Sequence, residues 1–295
     1  MDLDTSAPER VVPTWHGRST PLVLVSILSV QIGAGFARGL FADVGPAGVV
    51  MIRQGGAAVV LLLVARPRLG GRTRTEWATV LGFGAALAAM NLSFYEAVAR
   101  LPLGVAVTIE LLGPLGLAVA LSRGVRELAW AGVAVAGAIL LGEGGHALDR
   151  IGVAFALAAA ACWAAYILLS RATGRHSSGI DGLALAMSVA GLLVAPLGLR
   201  AGTALLDGRV VALGALVALL SGLVPFSLEL VVLRRVRPRV FGVLMSLSPV
   251  AAALSGFVIL GQRLALVQGV AIAMVIVASV ATVRRERTGL PDVSG

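Results

Sequence analysis

Five charged side chains interrupt the long apolar runs of this sequence: Arg38, Arg53, Glu96, Glu110 and Glu229. A charge at the centre of a lipid-spanning helix costs about 2.5–3.5 kcal/mol on insertion scales, so each needs a partner or a task. Glu110 is the strongest case, lying near the middle of its run. Pro114 follows four residues later, and proline has no N–H to donate to the carbonyl of residue 110. The helix is therefore expected to open at the turn that carries the carboxylate, beside Gly113. A kinked helix with a central acid suits a polar cavity that binds a proton or a cation. The alternative is a carboxylate tied to Arg53 or kept protonated.

The other four leave two readings each. Glu229 lies four residues after Pro225 on the same helix face, and either serves the cavity or pairs with the arginines that begin at Arg234. Arg53 can grip a substrate carboxylate with two parallel hydrogen bonds, or snorkel outward. Arg38 is close enough to a span end that snorkelling is expected, and Glu96 reads as a solvated residue at a mouth. Uncharged polar candidates are Gln31, Asn91, Tyr95, Tyr166 and Ser227. Asn91 and Tyr95 are four apart on one face, while Trp163 and Tyr166, three apart, can line a cavity together. For each of these a hydrogen bond between helices is the plain alternative.

The elements that position these residues follow from composition. Of 295 residues, 58% are hydrophobic and 13% charged, against about 25% charged in a soluble domain. Too few polar side chains remain to cover a water-facing surface, which excludes a soluble enzyme, a coiled coil and a disordered chain. Apolar runs fall at 22–42, 46–65, 77–99, 102–121, 127–142, 151–170, 183–199, 210–233, 239–260 and 264–283. In lipid an open chain satisfies its backbone only as helix. The expectation is an all-α integral membrane protein with ten transmembrane helices.

Orientation follows from the basic residues, all 24 of which are arginine. Seventeen fall in the two tails and in the loops after the second, fourth, sixth and eighth runs. Only Arg100, Arg150, Arg200, Arg209 and Arg263 occupy the opposite loops. Such a bias places both termini in the cytoplasm. Trp15, Trp77 and Trp130 flank spans on that same side, as interface anchors should.

The two halves resemble one another. LLGPLGLAVAL around residue 114 aligns with SLSPVAAALSG around residue 249, and Gly132-Val133 matches Gly269-Val270 after a two-residue shift. An offset of 135–137 residues contains five spans, and an odd number forces the second copy to run through the bilayer upside down. The expected layout is a cytoplasmic tail over 1–20, a first repeat over 21–146, a second over 147–284 and a cytoplasmic tail over 285–295. Pro114, Pro225 and Pro249 are expected to kink their helices. Secondary transporters are built this way, with the substrate site near the midplane between repeats.

Several chemistries are excluded. Without lysine no Walker-type G-x-x-x-x-G-K is possible, so ATP-driven transport by this chain alone is out. His16, His146 and His176 show no ligand-like spacing and Cys162 stands alone, so no metal site or disulfide is expected. The arginines orient helices and do not mark a nucleic-acid surface. A membrane-embedded enzyme needs catalytic groups clustered at one interface, and no Ser/His or His/Asp constellation occurs. The glycines of Gly33-Ala34-Gly35 and Gly82-Phe83-Gly84 read as close-packing positions.

The stretch MNLSFYEAVARLPLGVAVTIELLGPLGLAVAL resembles the RhtA-type threonine/homoserine exporters of the EamA family, in the drug/metabolite transporter superfamily. So do VSILSVQIGAGFARGLF, CWAAYILLS and PFSLELVVLRRVRPRVFGVLMSLSP, and the resemblance runs in order over residues 22 to 285. It implies ten helices in two inverted EamA repeats, residence in the bacterial inner membrane, and export of small amino acids coupled to protons, with no cofactor. Glu110 and Glu229 stand where those exporters show their intramembrane acids. Asn91, Tyr95, Gln31 and Arg53 stand at matching polar positions, and Glu96 has no counterpart. The family pattern Leu-Gly-Glu reads Leu260-Gly261-Gln262 here, and Ser248 stands where an acid often precedes the second proline. The partners expected are a small amino acid, protons and lipid; a monomer is preferred over a dimer. An exporter of a drug-like compound or another metabolite is the alternative.

Overall fold

The computed structural model describes residues 16–121, 125–141, 148–176, 180–225, 228 and 245–285. Every element is helical among these residues, with no strand. In order they are α1 (His16–Arg38), α2 (Phe41–Ala65), α3 (Arg74–Arg100), α4 (Leu103–Glu110), α5 (Leu112–Leu121) and α6 (Val125–Leu140). There follow α7 (Arg150–His176), α8 (Asp181–Gly198), a 3-10 segment (Leu199–Leu206), α9 (Gly208–Ala218), a π turn (Leu219–Leu223), α10 (Ser248–Leu260) and α11 (Leu266–Arg285).

Five helical stretches are long and apolar enough to cross a membrane: Pro21–Arg38, Phe41–Ala65, Arg74–Arg100, Arg150–Gly174 and Asp181–Leu206. Five more are apolar but shorter: Leu103–Leu117, Ala129–Leu140, Gly208–Gly222, Ser248–Leu260 and Leu266–Ala281. The chain is thus a multi-pass helical membrane protein. Large apolar side chains such as Leu63, Leu192 and Val258 point outward, as a lipid-facing surface requires.

Local chemistry sets the ends of the spans. Gly45 adopts a positive φ ahead of Pro46 and so breaks the start of α2. Thr73 and Glu76 form a reciprocal capping box at the start of α3, with the Thr73 N–H donating to Glu76 Oε2 at 2.7 Å. At the opposite end of the bundle several termini are tied together. Arg209 Nη1 lies 3.2 Å from Asp43 Oδ2, and the Leu103 N–H donates to Gln262 Oε1 at 3.0 Å. Arg38 donates to the carbonyls of Val98 and Leu101 at the end of α3, so its guanidinium binds backbone there. Gln262, one of the two departures from the family pattern, thereby caps the first turn of α4.

The spans pack in a definite set of pairs. α3 lies along α7 and α8, and α2 along α8 and α9. α1 meets α9, the π turn and α10; α4 meets α7 and α10; α6 meets α11. The core runs through these seams, with Val49, Val50, Tyr95, Ala184 and Ala190 buried in one cluster and Val105, Ala106, Ala252 and Ala271 in another.

The helix bearing Glu110 divides in the structure. α4 ends at Glu110 and α5 begins at Leu112, because Pro114 cannot complete the backbone ladder at the Glu110 carbonyl. Beside this break Gly113 touches α7 so closely that an added Cβ would stand 2.0 Å from the Ala160 carbonyl oxygen. Backbone on one side and a helix on the other leave nothing that can yield. Gly113→Val is therefore expected to destabilise the protein by about 3 kcal/mol, the upper end for overpacking, read as a lowered melting temperature in detergent; an unchanged melt would contradict this contact.

Candidate functional site

Three spans build a polar cluster between them. At its centre is Arg53, partly buried on α2. Its Nη1 donates to Asn91 Oδ1 on α3, and its Nη2 donates to the Ser221 carbonyl, 3.3 Å away in the π turn. The guanidinium carbon also lies 5.8 Å from the ring centroid of Tyr95, itself only 1% exposed. Tyr95 is held edge-on by Phe41 at 5.8 Å and by Phe94 at 5.5 Å. Asn91 is fixed in turn, because its Nδ2 donates to the Leu87 carbonyl at 2.8 Å. Arg53 is thus oriented inside the bundle by side chain, backbone and ring together, and does not snorkel.

The Ser221 carbonyl is available for a physical reason. Proline 225 cannot donate to the carbonyl four residues before it, and that carbonyl belongs to Ser221. The helix adjusts through a π turn, a distortion often found at functional sites. The Arg53 guanidinium donates to the oxygen the proline leaves. Two residues absent from the sequence reading therefore belong to the cluster. Ser221 is one; Gln54, 2% exposed and donating to the same Leu87 carbonyl at 3.1 Å, is the other. Counting back four residues from Pro225 would have found the first.

Glu110 is half-buried at the end of α4 and makes no ion pair or side-chain hydrogen bond with any described residue. The Arg53 guanidinium is nonetheless close enough to act on it electrostatically. The arrangement offers a fixed cation and an uncommitted carboxylate within one field. A zwitterion presents the two matching charges, a carboxylate for Arg53 and an ammonium for Glu110.

The remaining candidates lie as follows. Gln31 is buried on the face of α1 that also carries Ile27 and Ala34, against α4 and α10, and its Oε1 has no hydrogen-bond partner among the described residues. Trp163 is half-buried on α7, one turn from the Ala160 that meets Gly113. Tyr166 packs against Phe83, ring centroids 5.2 Å apart. Phe83 is three turns of α3 away from Tyr95, so Tyr166 is not brought to Arg53. Pro249 sits in the first turn of α10, just after a turn at Ser246–Leu247. Glu229 and Ser227 lie outside the described residues. No group of three His, Cys, Asp or Glu capable of holding a metal occurs among the described residues.

Comparison with known proteins places the chain in a family. Residues 150–284 match the EamA-like transporter family. The threonine/homoserine exporter RhtA of Escherichia coli strain K12 is 37% identical over 286 residues, 94% of this chain and 95% of its own. This chain belongs to the EamA transporter family. The RhtA protein of Salmonella typhimurium strain LT2 is similar to it as well, at 36% identity over 94% of this chain and 95% of its own. A crystal structure of another protein superposes on 93% of this chain and 99% of its own with a TM-score of 0.60 at 18% identity, a likeness of fold. The family is one of transporters, not enzymes, and the RhtA relatives align over both halves of this chain.

Proposed function

We propose that this chain exports small amino acids of the threonine/homoserine kind across the bacterial inner membrane by proton antiport. The observation that carries this reading is the pairing of a rigidly held Arg53 with an uncommitted Glu110 at a helix break. Arg53 takes the substrate carboxylate and Glu110 its ammonium, with Asn91 and Tyr95 shaping the space between them. A carboxylate that holds the ammonium cannot at the same time hold a proton, so the two cations exclude one another. One leaves as the other binds, which is antiport. The named relatives support the choice of substrate.

Ten spans in two inverted repeats, over 21–146 and 147–284, complete the proposal. The packing pairs support it, because they exchange among themselves when each span is replaced by the one five later. The α3–α7 pair becomes that of α9 with α1, α3–α8 becomes α9–α2, and α4–α7 becomes α10–α1. The pairs α2–α8, α4–α10 and α6–α11 become themselves. Helix interruptions at Leu111 and at Ser246 each precede a proline by three residues, which agrees with the 135-residue offset. The arginine-rich end is then cytoplasmic and carries both termini. Alternating access is a rocking of one repeat against the other about this site, and Arg53 spans the joint, holding Asn91 in one repeat and Ser221 in the other.

The substrate class is tested in proteoliposomes by counterflow, with labelled threonine outside and unlabelled competitors trapped inside. Threonine and homoserine are expected to drive accumulation, while cationic dyes and sugar-linked metabolites are not. No accumulation of labelled threonine with trapped threonine, together with counterflow of a labelled dye or sugar-linked metabolite, would move the chain to the other branch of the family.

A further inference from the structure

A second cluster of charge lies well away from Arg53, in a cleft of about 710 Å³ at the arginine-poor end of the bundle. Four helix ends line it: Val44 to Ala47 at the start of α2, Leu92, Ser93, Glu96 and Arg100 at the end of α3, Phe155 near the start of α7, and Leu197, Arg200 and Ala201 at the end of α8 and in the 3-10 segment after it. Both proposed repeats contribute a wall.

One face of α3 presents Ser93, Glu96 and Arg100 to this space. Arg100 is engaged three ways: with Glu96, with Asp149 at 3.9 Å, and over the Phe155 ring at 5.1 Å. Glu96 uses only Oε2 in that pair, so Oε1 remains available. Arg200 on the facing wall differs, since it makes no ion pair or hydrogen bond with any described residue. The cleft therefore holds one uncommitted cation, one half-committed anion and the Ser93 hydroxyl beside it.

Arg200 is exposed, has no ion-pair partner among the described residues, and lines the same cleft as the Glu96 carboxylate, a space large enough for a small molecule. The combination matches a zwitterion that also carries a hydroxyl, which is the chemistry proposed for the cargo at Arg53 and Glu110.

We propose that this cleft is a second amino-acid site on the release side, where Arg200 takes the carboxylate and Glu96 the ammonium of the departing substrate. The proposal rests on the export reading above. The site binds more weakly than the one at Arg53, because its charges stand in water and salt screens them. A weak station at the exit suits release, since it accepts substrate from the central site without retaining it.

Equilibrium dialysis of labelled threonine against the purified full-length protein separates the two sites. Wild type is expected to show two classes of binding that differ at least 10-fold in affinity. Arg200→Gln leaves only the tighter class and Arg53→Gln only the weaker, and melting curves verify that each variant is folded. Since Arg200 is exposed and has no ion-pair partner among the described residues, its replacement is not expected to unfold the protein. A single class in wild type, or two unchanged classes in Arg200→Gln, overturns the second site. If wild type moves threonine in proteoliposomes while showing one class, only the second site falls; if it neither moves nor binds threonine, the export reading falls with it.

Discussion

Glu110→Gln is expected to reduce threonine flux driven by a pH gradient at least about 100-fold, with no loss of folded protein. Glutamine has nearly the shape of glutamate, so the packing around the α4–α5 break is preserved. No ion pair or described hydrogen bond is lost, because Glu110 makes none. What disappears is the capacity to take up a proton and to neutralise an ammonium. A factor of 100 corresponds to about 2.7 kcal/mol, less than the several kcal/mol that an uncompensated charge costs in a low-dielectric interior. Flux at the wild-type level, measured in proteoliposomes with a protonophore control, would remove Glu110 from the mechanism.

Arg53→Gln has the second large effect and a different signature. The guanidinium is proposed to grip the substrate carboxylate through two charge-assisted hydrogen bonds, each worth about 1.5–3 kcal/mol. The substrate concentration at half-maximal flux should therefore rise about 100-fold or more. Arg53→Lys should recover only part of this, since an ammonium keeps the charge but not the planar fork that now reaches Asn91 and Ser221 together. Threoninol, which lacks the carboxylate, separates recognition from structural damage. It should compete poorly with threonine in wild type, and in Arg53→Gln the difference between the two should largely vanish. An unchanged half-saturation in Arg53→Gln would assign that residue to structure alone.

Much of this molecule is legible in its sequence because lipid permits so few solutions. An apolar run of membrane length must be a helix, and the helices occupy the apolar runs wherever the chain is described. A proline four residues after an acid frees that acid's carbonyl, which is why the break at Glu110 follows from two letters of sequence. Contacts between spans are less accessible, because they depend on the rotation and height of each helix against its neighbours. Arg53 illustrates this. Its position in a run left snorkelling and substrate binding equally open, and only the register of α2 against α3 and the π turn brings it to Asn91 and Ser221.

Arg38 and Tyr166 make the same point from the other side. The place of Arg38 near a span end predicts a side chain reaching toward the interface, but the end of α3 presents the Val98 and Leu101 carbonyls within its reach, and it binds them. Unsatisfied carbonyls at a helix C-terminus attract a cation. Tyr166 is spaced to share a cavity with Trp163, yet it meets Phe83 where α7 lies along α3. Spacing along one helix places side chains on a face; which neighbour covers that face is decided by the whole bundle.

The coupling of threonine to protons is the central claim, and it is tested by following the proton itself. Proteoliposomes carrying a trapped pH-sensitive dye, with equal pH on both sides, receive threonine outside. Antiport predicts that threonine entry expels protons, so the lumen turns alkaline, and that Glu110→Gln abolishes the change. Threonine entry with no change in lumenal pH, or with acidification, would contradict it.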